Sequence, residues 1–73
     1  MILNVSPIGL RAMLVGLGVW TPECEAGKLT TLAIGAVEPD AAGKLLFTVE
    51  LTENQERCLK ARWPDDDLQR VFR

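Results

Sequence analysis

From Lys44 to Thr52 the chain reads Lys-Leu-Leu-Phe-Thr-Val-Glu-Leu-Thr, a period-two ribbon that runs straight into the start signal of a helix. Leu45, Phe47, Val49 and Leu51 fall on one face, and Lys44, Leu46, Thr48 and Glu50 on the other. Thr52 offers its hydroxyl to the first helical turn, and Gln55 three residues on completes a Thr-x-x-Gln capping box. Glu53 with Arg57 and Glu56 with Lys60 stand at i,i+4 in acid-first order and mark the wet side of that helix. Cys58, Leu59 and Trp63 share the opposite stripe, which is expected to lie on the Leu45–Leu51 face. Pro64 excludes Trp63 from helical dihedrals, so the helix should end near Arg62.

Upstream, Thr30 to Glu38 is also strand-like, and Pro39-Asp40-Ala41-Ala42-Gly43 supplies a proline that presets φ and a glycine able to take φ > 0. A hairpin follows. Pairing Glu38 with Lys44 sets Val37 opposite Leu45, Gly35 opposite Phe47 and Ala33 opposite Val49. In that register the Phe47 ring covers the bare backbone at Gly35. The other face then carries Leu32, Ile34, Ala36 and Leu46, an apolar set that something should cover.

Ile2 to Val5 suits a short strand, and Ser6-Pro7-Ile8-Gly9 fits a turn with proline at its second position. The next run, Leu10 to Trp20, is ambiguous. Leu10, Met13, Leu14 and Leu17 match a helical face with Ser6 as cap and Pro7 as first residue. Gly16 and Gly18 weaken that helix, and an internal echo favours a strand. Trp20 to Leu29 and Glu38 to Leu45 both run through a proline, an acid, a short spacer and Ala-Gly-Lys-Leu. If the second is a hairpin connection, so is the first. After Pro64, Asp65-Asp66-Asp67 precedes Leu68, Val71 and Phe72 at helical spacing, with Arg70 and Arg73 late, the charge order a short helix favours. The expected fold is therefore α+β: an antiparallel meander sheet of three to four strands, one helix packed on a face, and a short C-terminal helix. The N-terminal helix is the alternative.

The 73 residues make one small globular domain, residues 1–73, with a modest core. A net charge of -2 lacks the basic footprint of a protein that grips phosphates, which argues against direct sequence-specific nucleic-acid binding. Residues 1–20 are very apolar, but Arg11 sits inside the run rather than ahead of it. That excludes a secretory signal, and the same arginine would cost a spanning helix about 2.5 kcal/mol or more. No membrane association and a cytoplasmic location are expected.

The chemistry-bearing residues are few. With no histidine and two cysteines, Cys24 and Cys58, outside any Cys-x-x-Cys pair, no structural zinc site can be assembled. A Cys24–Cys58 disulfide is geometrically admissible but disfavoured in a reducing compartment. Cys24, between Glu23 and Glu25, should be an unreactive thiol, and Cys58 reads as core. Gly27-Lys28 and Gly43-Lys44 lack the earlier glycine and following hydroxyl of a phosphate loop. No catalytic residue, metal or cofactor is assigned, and an enzyme is not expected. What remains is surface. Asp65, Asp66 and Asp67 offer either a solvated helix cap or an acidic contact for a basic partner. Of the two tryptophans, Trp20 and Trp63, at least Trp63 is expected in the core, and either one, if exposed, is the first candidate for an interface anchor. Leu32, Ile34 and Leu46 form the spare sheet face.

A short, acidic, single-domain chain without catalytic residues, running from Met1 to Arg73 as though it were a whole gene product, resembles the small phage-encoded proteins that bind and redirect host machinery. The resemblance implies a monomeric, non-enzymatic regulator in the host cytoplasm that docks on a larger host complex, bacterial RNA polymerase first, to inhibit or redirect transcription. Phage inhibitors of host defence complexes are similar on the same grounds. A self-associating structural or assembly protein is the rival reading.

Overall fold

The computed structural model describes residues 1–22, 24 and 31–73. Along them the chain runs β1 (Ile2–Val5), α1 (Pro7–Gly18), β2 (Ala33–Pro39), β3 (Leu45–Glu50), α2 (Glu53–Arg62) and α3 (Leu68–Phe72). The fold is α+β, with a three-stranded antiparallel sheet in the order β1-β3-β2. Its connection differs from a meander. The strand that closes the sheet is β1, paired to β3 with Leu3 opposite Val49 and Val5 opposite Phe47, whereas the segment expected as a strand after Leu10 is α1.

Helix α1 forms because its start is fully specified. The Ser6 hydroxyl accepts from Gly9 N–H at 2.9 Å, and Pro7 stands at the first position, where a missing N–H costs nothing. The glycines that argued against a helix are close-approach residues. A Cβ at Gly9 would overlap the Phe72 carbonyl, and one at Gly16 would stand 3.2 Å from the Trp63 ring. The helix loses some propensity there and gains contact with the C-terminal segment.

The strand-to-helix junction is as expected. Thr52 Oγ1 accepts from Gln55 N–H at 3.2 Å and Gln55 Oε1 accepts from Thr52 N–H at 2.9 Å. Glu56 and Lys60 pair at 3.1 Å, and α2 stops at Arg62 with Trp63 as its cap.

The hairpin forms in a different register. Asp40 N–H donates to the Lys44 carbonyl at 2.7 Å, and Asp40 Oδ1 accepts from Ala42 and Lys44 N–H, both at 2.9 Å. The loop is thus Ala41-Ala42-Gly43, with Gly43 at φ +81°, the three-residue type that needs a left-handed residue. Glu38 consequently faces Leu46 and Val37 faces Phe47, and a bulge between Ile34 and Val37 brings Ile34 opposite Val49. Phe47 does not cover Gly35, whose added Cβ would meet Thr48 atoms at 3.7 and 3.9 Å, an ordinary contact.

The core lies between the helices and one face of β1 and β3: Leu3, Val5, Met13, Leu17, Val49, Leu51, Leu59, Leu68 and Phe72 are buried. Phe72, not Phe47, is the fully buried phenylalanine. Trp63 is half-buried and meets Phe72 edge-on, with centroids 5.1 Å apart at 82°, a geometry worth about 0.5–1.5 kcal/mol beyond its area. Leu45, expected under α2, is exposed, because the helical layer covers β1, the second half of β3 and Leu51 after it but leaves β2 bare.

Cys24 and Cys58 are both buried and form a disulfide, with Cα atoms 4.9 Å apart. This corrects the expectation of two separate thiols. Burial brings the two side chains together, and the bond ties the segment after α1 to the middle of α2. The first turn of the sequence echo, at residue 23 and residues 25–30, lies outside the described residues.

Candidate functional site

Helix α1 has two apolar faces. Gly9, Met13, Gly16 and Leu17 turn inward and are buried. On the other side Ile8, Val15 and Val19, spaced at about two and one helical turns, stay in solvent, with Ile8 83% and Val15 62% exposed. A helix apolar on both sides is normally enclosed; here the described residues leave one side uncovered.

That side is one wall of a groove of about 600 Å³ between α1 and the end of α2, lined by Ile8, Arg11, Ala12, Val15, Gly16, Val19, Arg62 and Trp63. Gly16 opens its floor, since without a side chain there the Trp63 ring is not covered from the α1 side. Arg62 closes the far end, its Nη2 donating to the Val19 carbonyl at 2.6 Å. Val19 is the last-turn cap of α1, so a cation meets the negative end of a helix dipole there. The Arg62 Nε is shielded and has no acceptor. Trp20, immediately beyond, is 68% exposed.

The residues singled out from sequence separate into three places. Trp63 belongs to the groove. Asp65, Asp66 and Asp67 are exposed on the adjoining turn, where Asp67 Oδ1 accepts from Gln69 N–H at 3.0 Å and caps α3; the solvated-cap reading describes Asp67. Asp65 and Asp66 border a shallow depression with Arg70 and Val71. Leu32, Ile34 and Leu46 do not share a face: Leu32 packs against the core, Ile34 sits opposite Val49 on the helix side, and Leu46, opposite Glu38, points to the other side. The bulge separates them.

Sequence reasoning missed Ile8, Arg11, Val15, Val19 and Arg62. The signal was present in the spacing of Ile8, Val15 and Val19, but it exists only if the segment is read as a helix. No helix among the described residues is long and apolar enough to cross a membrane. The chain matches no family model, no curated protein and no solved structure.

Proposed function

We propose that the protein is a non-enzymatic regulator that docks on a larger protein complex through the α1 groove. The observation that carries this reading is the second apolar face of α1, a stripe of aliphatic side chains kept in solvent beside a tryptophan and two arginines. Aromatic and arginine side chains around a desolvatable floor are the composition of interface hot spots. Asp65 and Asp66, next to Trp63 in the chain, extend the surface with charge of opposite sign.

Bacterial RNA polymerase in a host cytoplasm is the first complex to test, on the resemblance drawn above. In a reducing compartment the cysteine pair would be two buried thiols, and Cys24 Sγ, 3.3 Å from the Leu17 carbonyl, would then have an acceptor for its S–H. The test is capture of purified polymerase by the immobilised chain and by Val15→Asp. Capture lost in the variant supports docking through α1; equal capture removes the groove from the reading, and no capture removes the polymerase.

Self-association is the second reading, favoured by the bare flank of the sheet, where Ile34, Val37 and Leu45 are each about half exposed. Light scattering over a range of concentration decides it: a constant monomer mass supports the regulator and a stable oligomer the structural role.

A further inference from the structure

We propose that the occupant of the α1 groove is an acidic amphipathic helix of the partner protein, a deepening that rests on the docking reading above. Three features of the groove select that chemistry. The first is charge: among the described residues, Arg11 and Arg62 are the charged side chains lining it, and no described carboxylate lines it with them, although the whole chain carries net charge -2. A partner segment bearing carboxylates gains both arginines within the groove, with Asp65 and Asp66 outside it on the adjoining turn, whereas a basic segment meets two cations there.

The second feature is shape. The stripe from Ile8 to Val19 spans about 16 Å along α1 at 1.5 Å per residue, the length of about three turns of a second helix. Gly16 lets an aliphatic side chain reach the Trp63 ring, so the deepest contact is apolar while the arginines flank it. Helix-in-groove recognition uses this division, apolar anchors at i, i+3, i+4 and i+7 with charges alongside.

The third is the state of Arg62. The bond from Nη2 to the Val19 carbonyl holds the guanidinium in place before any partner arrives. Its donors exceed that single bond, and a fixed guanidinium loses less freedom on pairing with a carboxylate than a mobile one.

The probe is a fluorescein-labelled synthetic peptide of about three helical turns with leucine at i, i+3, i+4 and i+7 and glutamate flanking. Its control carries lysine in place of every glutamate. Anisotropy titration with the full oxidised chain is expected to give binding of the glutamate peptide at least about tenfold tighter than the lysine peptide, weakening as salt rises. Val15→Asp and Arg11→Glu, both at exposed positions, should each weaken it by about tenfold or more with an unchanged melting temperature. Equal binding of the two peptides, or unchanged binding by both variants, overturns the proposal. Binding confined to phosphatidylcholine/phosphatidylglycerol vesicles and lost in Val15→Asp also overturns it, by assigning the groove to a lipid surface. If polymerase capture is lost in Val15→Asp but the glutamate peptide neither binds nor competes, the acidic helix fails while docking through α1 stands. If capture is unaffected by Val15→Asp while the peptide binds, the docking reading fails instead.

Discussion

The two edges of the sheet are protected in opposite ways. On the β1 edge the Gln69 side chain clasps one residue of the strand from outside, its Oε1 accepting from Asn4 N–H at 3.0 Å and its Nε2 donating to the Asn4 carbonyl at 2.7 Å. Ser6 N–H, one residue beyond the strand, donates to the Phe72 carbonyl at 3.1 Å. A piece of the C-terminal segment thus stands where a further strand would pair. Nothing comparable covers β2 among the described residues, and all seven of its residues are exposed. It relies on its own backbone. The bulge between Ile34 and Val37 breaks its regularity. Because Asp40 donates to Lys44, the alternation of an antiparallel ladder turns the Pro39 nitrogen outward, where an incoming strand would need an N–H. One edge is closed by a segment distant in sequence that packs against it, while the other carries its own interruptions.

The contrast can be broken at several levels. The largest effect is expected from replacing both cysteines by alanine. The disulfide closes a loop of 34 residues that contains β2 and β3 but not β1 or α3. Its loss should cost about 3–4 kcal/mol in denaturant unfolding and should speed hydrogen exchange in β2 and β3. An unchanged unfolding midpoint would mean the bond adds nothing to the sheet. Gly9→Ala strikes the other side. The new methyl group overlaps the Phe72 carbonyl, so α3 must move and the burial of Phe72 is lost in part, at about 3 kcal/mol. Asn4 should lose its amide protection at the same time, and retention of that protection would show that α3 is anchored elsewhere.

A finer separation comes from Gln69→Ala. It removes both bonds to Asn4 at a solvent-exposed site, so the stability cost should be about 1 kcal/mol. The sharper readout is association: a bared β1 edge should raise the apparent mass at high concentration, and a mass that stays monomeric would show that so short a strand needs no cover. Pro39→Val is expected to shift stability by about 0.5 kcal/mol or less, yet to promote pairing through β2. If neither edge variant associates, edge protection is not what these features provide.

Much of this arrangement is legible in the sequence where a signal is local. Thr52-x-x-Gln55, the stop at Pro64 and the Gly43 turn each act within a few residues, and each stands where its chemistry predicts. Helix α1 was legible as well, in Ser6 and Pro7, but glycine counts against a helix when only propensity is weighed. That Gly9 and Gly16 serve contacts with Phe72 and Trp63, far away in the chain, is invisible before the fold is known. The register failed for a related reason. A proline and a glycine mark a turn without saying whether Glu38 or Asp40 faces Lys44, and a bulge then reassigns every side chain beyond it. The disulfide depends on two residues that only tertiary packing brings together. The groove was hidden because its stripe has meaning only at helical period. The acidic run was easy to see, and one of its three residues is occupied with capping.

The covalent ring has a practical corollary for the exposed tip of the hairpin. Ala41, Ala42 and Gly43 stand in solvent, the sort of place a protease cuts first. A cut there falls inside the segment that Cys24 and Cys58 close, so the two products stay joined as one molecule with β2 and β3 still tethered. Such a nicked chain would run at full mass on a non-reducing gel and come apart only when a reductant is added.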